Sequence, residues 1–216
     1  MLHLNLPGNP PSPRILCLGA HSDDIEIGCG GTVLRLLRDY PAAEVTWVVF
    51  SASGARNAEA RDSAGRFLQG AARHEVLLQD FRDGHFPYIG SAIKEFFEKL
   101  NATVNPDLVF THYRHDLHQD HRVVSELTWN TFRNHLILEY EIIKYDGDFG
   151  SPNLFVPLPP DIAQQKIANL LDAFKTQTSK AWFTADTFSS VMRLRGIESN
   201  APDQHAEAFY CRKLVL

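Results

Sequence analysis

The chain predicts an α/β fold, an open and mostly parallel sheet with helices on both faces. Three observations carry this. Short, wholly apolar segments alternate with stretches of helical period, the pattern of parallel strands joined by crossover helices. The apolar segments are rich in β-branched residues and lack the polar-apolar alternation of a half-exposed antiparallel sheet. Polar, histidine-bearing motifs follow directly on two of these segments, where open α/β sheets bind ligands.

In order along the chain, Arg14 to Ala20 reads as a buried strand entering a polar turn. Ile25 to Asp39 follows as a helix, with Val33, Leu34, Leu36 and Leu37 on one face and Pro41 ending it. Glu44 to Ser51 is a second strand, Glu59 to Gln69 a helix ended near Gly70, and Glu75 to Leu78 a short strand. Ser91 to Leu100 is an amphipathic helix with Ile93, Phe96, Phe97 and Leu100 on one side. Asp107 to Thr111 is another buried strand, and His121 to Asn134 is helical in period. Leu138 to Leu158 breaks into aromatic and proline-rich pieces that give no clear element. Pro160 to Phe174 predicts one more helix, and the C-terminal piece has mixed signals. The length of 216 residues suits one domain spanning 1–216.

Composition excludes several classes. The net charge of −5, with 21 basic and 26 acidic residues interspersed, lacks the basic run of a nucleic-acid binder. No apolar run reaches the ~18 residues of a membrane span. Met1 to Pro13 is proline-rich without the charged and apolar regions of a secretory signal. The cysteines, Cys17, Cys29 and Cys211, are scattered and form no disulfide framework or CxxC pair. A cytoplasmic protein is the expectation.

The chemistry lies in two windows. One is Ala20-His21-Ser22-Asp23-Asp24-Ile25-Glu26, at the end of the first strand. The other runs from His112 to His121, after the strand ending at Thr111. Together they hold five of the ten histidines. A catalytic zinc site uses three nitrogen or oxygen ligands and keeps a position open for water. His21 and Asp24, three apart on a strand-to-helix turn, can reach a common ion, and His121 completes the set. Two neutral imidazoles and one carboxylate leave such an ion net positive, able to activate water and polarise a carbonyl. Asp23 is placed to act as general base. A protonated His118 would stabilise an oxyanion, its ring held by Asp120 or Asp116. The competing reading of the first window is a solvated turn with Asp23 or Asp24 capping the helix. His112 and His115 are expected to be structural or at the surface.

At these residues the chain resembles the PIG-L/LmbE-like family of zinc-dependent N-acetyl-sugar deacetylases. His21-Ser22-Asp23-Asp24 is similar to the family's His-Pro-Asp-Asp, and His118-Gln119-Asp120-His121 to its His-x-Asp-His. The likeness continues through Gly28, Gly30, Gly31 and Thr32, through Arg56 and Glu59 as an Arg-x-x-Glu, and through Asp83-Gly84 and Ala206-Glu207-Ala208-Phe209. The resemblance implies a Rossmann-like fold and one Zn²⁺ held by His21, Asp24 and His121. It further implies Asp23 as base, His118 as electrostatic stabiliser oriented by Asp120, and Arg56 contacting an N-acetylated sugar or sugar conjugate. Asp83 and His85 are expected to line the substrate pocket. Ser22 stands where the family has proline. Glu26 is separated from Asp24 by Ile25, which points to a first-turn carboxylate favouring the helix dipole rather than a catalytic group.

The glycines from Gly28 to Gly31 should let a helix pack closely. The loop Ser51-Ala52-Ser53-Gly54 should face the pocket. Trp182, Phe183 and Phe188 should be core. Hydrolysis of another amide or an ester, or a non-catalytic metal- or sugar-binding module, are the alternatives. Ligand type alone leaves zinc, iron and cobalt open, and the oligomeric state is not legible.

Overall fold

The computed structural model describes residues 12–214. The proline-rich start, read above as lacking a secretory signal, lies outside the described residues up to position 11. Seven strands form one sheet: β1 (Arg14–His21), β2 (Glu44–Ser51), β3 (Arg73–Leu78), β4 (Leu108–His112), β5 (Leu136–Tyr140), β6 (Leu154–Pro157) and β7 (Ala206–Cys211). Their order is β3-β2-β1-β4-β5-β7-β6. β1 to β5 run parallel, while β7 pairs antiparallel with β5 and β6 antiparallel with β7.

The helices are α1 (Asp24–Asp39), α2 (Ala55–Phe67), α3 (Gly90–Thr103), α4 (Gln119–Thr131), α5 (Pro160–Ala173) and α6 (Ala185–Glu198). Side chains of β1 alternate between two cores, as the strand pleat requires. Ile15 and Cys17 join the layer with α1, α2, α5 and α6, and Leu16 and Leu18 the layer with α3 and α4. No helix among the described residues is long and apolar enough to cross a membrane.

The expected elements all occur, with α2 starting four residues earlier, at Ala55 rather than Glu59. The unassigned stretch from 138 to 158 holds the end of β5 and all of β6, and the C-terminal piece holds α6 and β7. α1 stops at Asp39 because the residue before Pro41 is sterically steered out of helical geometry.

Two features fix α1, whose N-terminus carries the first motif. A Cβ on Gly28 would stand 2.1 Å from the Tyr140 ring, so only glycine lets the helix lie against β5. Tyr140 in turn donates to the Leu18 carbonyl at 2.6 Å. Farther along, the buried Lys166 ammonium donates to the Ile27 carbonyl and to Glu207, both at 2.6 Å. Glu207 accepts the amides of Gly31 and Thr32 at 2.9 and 2.6 Å. A buried ion pair from α5 and β7 is thus built into the hydrogen bonding of α1.

β1 is flanked by β2 on one side and β4 on the other. The connections leaving β1 and β4 therefore diverge, and a crevice opens at their C-terminal ends. Both histidine windows enter it.

Candidate metal centre and active site

His21 ends β1 and Asp24 begins α1 after a two-residue turn. Asp24 folds back so that its Oδ2 accepts the His21 amide at 2.6 Å. Asp23 is the residue preceding α1 but makes no side-chain cap; it turns to Arg56, whose Nη2 donates to Asp23 Oδ1 at 2.7 Å. The capping reading of this turn is therefore excluded for both carboxylates. His121 projects from the first turn of α4, which follows β4.

His21 Nδ1 lies 3.2 Å from His121 Nε2 and 3.3 Å from Asp24 Oδ2. His121 Nε2 lies 3.5 Å from Asp24 Oδ2. Ligand bonds of about 2.0–2.1 Å in a tetrahedron give edges of about 3.3–3.4 Å, so the three donors already have the spacing of one face of such a site. Other groupings of donor atoms within 4.8 Å of one another are His21, His118 and His121; Asp24, His112 and His121; and His21, Asp83 and Asp120.

Charge in the cluster favours a cation. Burial opposes protonation of His21, yet Asp24, Asp120 and Asp83 outweigh it and raise its pKa well above the ordinary value. Asp24 is held well below the carboxylate range, the surrounding His121, His112 and His21 overcoming its burial. Burial and the neighbouring His112 push His121 down to about 3, so it presents the neutral imidazole a metal needs.

Ring orientation comes from outer partners, as metal-ligating histidines require. His21 Nε2 faces Asp120 Oδ2 at 3.3 Å and Asp83 Oδ1 at 3.1 Å, which leaves the Nδ1 lone pair to the cluster. His121 Nδ1 lies 3.0 Å from Asp116 Oδ2, and Lys144 bridges Asp116 and Asp148 at 2.9 and 2.5 Å.

The structure corrects the expected partners of His118. The Asp120 carboxylate does not hold that ring. It accepts the amides of Gly84 and Phe86 at 2.6 and 3.1 Å and orients His21. Asp116 likewise serves His121. His118 is turned by a backbone group: its Nδ1 accepts the Asp120 amide at 3.3 Å, which places the ring proton on Nε2. Burial and the nearby His21 lower the His118 pKa, which works against the protonated ring expected.

His85 is not a cavity residue; its Nδ1 lies 3.0 Å from the Asp83 carbonyl oxygen and its ring 6.1 Å from that of Tyr88. Trp182 packs against the core from a partly buried position and also lines the cavity, whereas Phe183 and Phe188 are buried. His115 is exposed and His112 is fully buried. Its Nε2 accepts the Ala20 amide at 2.9 Å, and its ring stacks on His121 at 3.9 Å. The available signal is its position as the last residue of the apolar strand, which directs it to the same sheet edge.

His21, Asp23, Asp24, His118 and His121 line a cavity of about 470 Å³, together with Ser51, Ser53, Arg56 and Asp83. Ser51 and Ser53 of the 51–54 loop, Arg56 and Asp83 thus face the cavity. The close packing expected of the glycine run also holds: a Cβ on Gly30 would meet Phe67 at 2.6 Å and one on Gly31 would meet Leu158 at 2.6 Å.

Glu26 stands in the first turn of α1, as expected, but its burial works against the charge that would favour the helix dipole. It is fully buried, and burial, partly offset by the nearby Ser63 hydroxyl, raises its pKa to about 8. Unfolded, it titrates near 4.5. Between these values the folded state holds a proton that the unfolded chain releases, so its favourable contribution is complete below about pH 4.5 and is lost as pH rises toward 8. Glu26→Gln should remove this dependence. In urea unfolding the variant should gain on the parent by a margin growing from pH 5 to pH 8, on the order of a few kcal/mol. A constant margin would show that Glu26 ionises normally.

An ordered histidine-carboxylate cluster at the switch point of an open α/β sheet, with a further carboxylate gripped by an arginine beside it, defines a candidate metal-dependent hydrolase site. The family model described as PIG-L, GlcNAc-PI de-N-acetylase, matches residues 16–132, more than half of the chain, and the chain belongs to this family.

Solved structures agree on the fold. The conserved protein TT1542 from Thermus thermophilus is 19% identical with a TM-score of 0.71, over 94% of this chain and 96% of its own. The N,N'-diacetylchitobiose deacetylase from Pyrococcus horikoshii is 19% identical, TM-score 0.67, over 91% and 82%. GalB, a 4-carboxy-2-hydroxymuconate hydratase from Pseudomonas putida, is 16% identical, TM-score 0.70, over 94% and 98%.

Proposed function

We propose that the chain is a zinc-dependent N-deacetylase of N-acetylated sugars or sugar conjugates, with one ion per chain held by His21, Asp24 and His121. The observation that carries this is the set of three donor atoms 3.2 to 3.5 Å apart, in the same cavity as an Asp23 paired to Arg56. Membership of a de-N-acetylase family and the likeness to a chitobiose deacetylase support the substrate class.

An ion held there supplies Lewis acidity to the amide carbonyl and acidifies a water. Asp23 takes the proton of the attacking water, and Arg56 fixes the carboxylate that does so. The water oxygen bonds to the carbonyl carbon, and His118 Nε2–H donates to the oxyanion that develops. Asp23 then returns the proton to the nitrogen as the C–N bond breaks, giving the free amino sugar and acetic acid, which ionises to acetate. The free state of Cys17, Cys29 and Cys211 supports a cytoplasmic setting.

The test is amine release by the metal-loaded protein from a panel of N-acetylated sugars, with and without a chelator. Release that the chelator abolishes is expected. The hydratase likeness shows why the fold alone does not decide the reaction. Turnover of an ester, another amide or a hydroxy acid in preference to every acetamido sugar would favour a different reaction at this site. Metal content without turnover of any substrate would favour a binding module.

A further inference from the structure

Of the three proposed metal ligands, His121 has an outer partner that is itself held from beyond the residues that the family model matches. His121 Nδ1 faces Asp116 Oδ2 at 3.0 Å, and the same oxygen accepts from the Lys144 ammonium at 2.9 Å. Lys144 lies in the loop between β5 and β6 and lines the cavity. Its other acceptors are Asp148 Oδ2 at 2.5 Å and the Ile142 carbonyl at 3.3 Å. Asp148 Oδ2 also accepts the Leu117 amide at 2.7 Å, and Asp116 Oδ1 accepts the His118 amide at 2.8 Å. The loop and the turn before α4 are thus tied together around Lys144.

Burial gives the ammonium its importance. The side chains of Asp116, Asp148 and Lys144 are 2%, 8% and 11% exposed. A buried carboxylate set against a neutral imidazole N–H alone would lack a counter-charge. Arg122 does not supply one to Asp116, since its Nη1 donates to the carbonyls of Asp116 and Leu117. Lys144 does.

A buried ion pair adds little stability over an apolar pair of the same shape, so stability alone is a weak reason for this one. Its geometric effect is more specific. With Lys144 on one side, the Asp116 oxygen is held where it accepts the His121 Nδ1 proton. The Nε2 lone pair is then left facing His21 and Asp24, at 3.2 and 3.5 Å.

We propose that Lys144 is a positioning residue for the metal ligand His121, acting through Asp116. The proposal rests on the metal site of the reading above, whichever amide is cleaved there. The test is a double-mutant cycle on Zn²⁺ affinity, measured by competition with a chromogenic chelator. The proteins compared are the full-length parent, Lys144→Met, Asp116→Asn and the double variant. Each single variant should bind Zn²⁺ about 10- to 100-fold more weakly, the range for outer partners of a ligating histidine. The double variant should be no weaker than Asp116→Asn, because both changes break one connection. Lys144→Arg, which keeps the charge, should recover most of the loss.

Urea unfolding of the metal-free proteins separates support of the fold from support of the ligand. A purely structural Lys144 would lower the urea midpoint while the folded variant bound Zn²⁺ as the parent does. Parent-like affinity in folded Lys144→Met, or a double variant in which the two losses multiply, would overturn the proposal. If Lys144→Met does not fold, Lys144→Gln takes its place in the cycle with the same outcomes. A parent that binds no Zn²⁺ overturns the proposal together with the metal site. The expected cycle without amine release from any acetamido sugar would leave Lys144 in its role and remove only the deacetylase reading.

Discussion

Asp23→Asn is expected to keep its metal and lose turnover by roughly 10²- to 10⁴-fold, the range a general base contributes. The substitution is nearly isosteric, and an amide oxygen can still accept from Arg56, which now meets Asp23 Oδ1 at 2.7 Å. What is lost is the ability to take a proton. Metal analysis and steady-state kinetics on one preparation check this. Unchanged metal with kcat near the parent's would remove Asp23 as the base. Loss of the metal would mean that Asp23 belongs to the ligand set.

The second large effect concerns the support of α1. Lys166 and Glu207 are 3% and 4% exposed and paired at 2.6 Å. Replacing Lys166 with Met leaves the Glu207 carboxylate buried without its counter-charge and the Ile27 carbonyl without its donor. Breaking one side of a buried pair costs about 3–5 kcal/mol, a large part of the ~5–15 kcal/mol that holds a domain folded. Lys166→Met should show a loss of that size in urea unfolding, and Lys166→Met with Glu207→Gln should recover part of it. A loss below about 1 kcal/mol would mean that the pair contributes little beyond its packing.

Much of this arrangement is legible in the sequence because its signals are local. β1 and β4 are apolar runs that end in polar, histidine-bearing turns, and as parallel neighbours in one sheet they bring those turns together. The grouping of His21, Asp24 and His121 follows from that convergence. Lys166 is not legible as a support of the site, because a lone lysine in an amphipathic helix reads as part of a solvated face. β7, which carries Glu207, is hidden for a different reason. It pairs antiparallel with β5, Tyr140 opposite Phe209, and no short-range pattern marks a pairing between segments so distant in the chain.

Roles within the site are harder to read than membership. Asp116 and Asp120 are recognisable as carboxylates that hold an imidazole, but His118 lies two residues from each, so sequence spacing offers it as their shared partner. In the fold, the turn before α4 and the 83–86 loop give Asp120 to His21 and Asp116 to His121. Trp182 reads as core with its neighbours and does pack against the core; what the sequence does not show is that the turn burying Phe183 also brings Trp182 to the cavity.

One ion seated among His21 Nδ1, Asp24 Oδ2 and His121 Nε2 is the premise of all the proposed chemistry. Anomalous diffraction from crystals of the metal-loaded protein tests it most directly. The expected result is a single peak about 2.0–2.2 Å from each of these atoms, with one coordination position left to solvent. A peak instead at His21 Nε2 between Asp83 and Asp120, or its absence from crystals of protein that hydrolyses acetamido sugars, would contradict it.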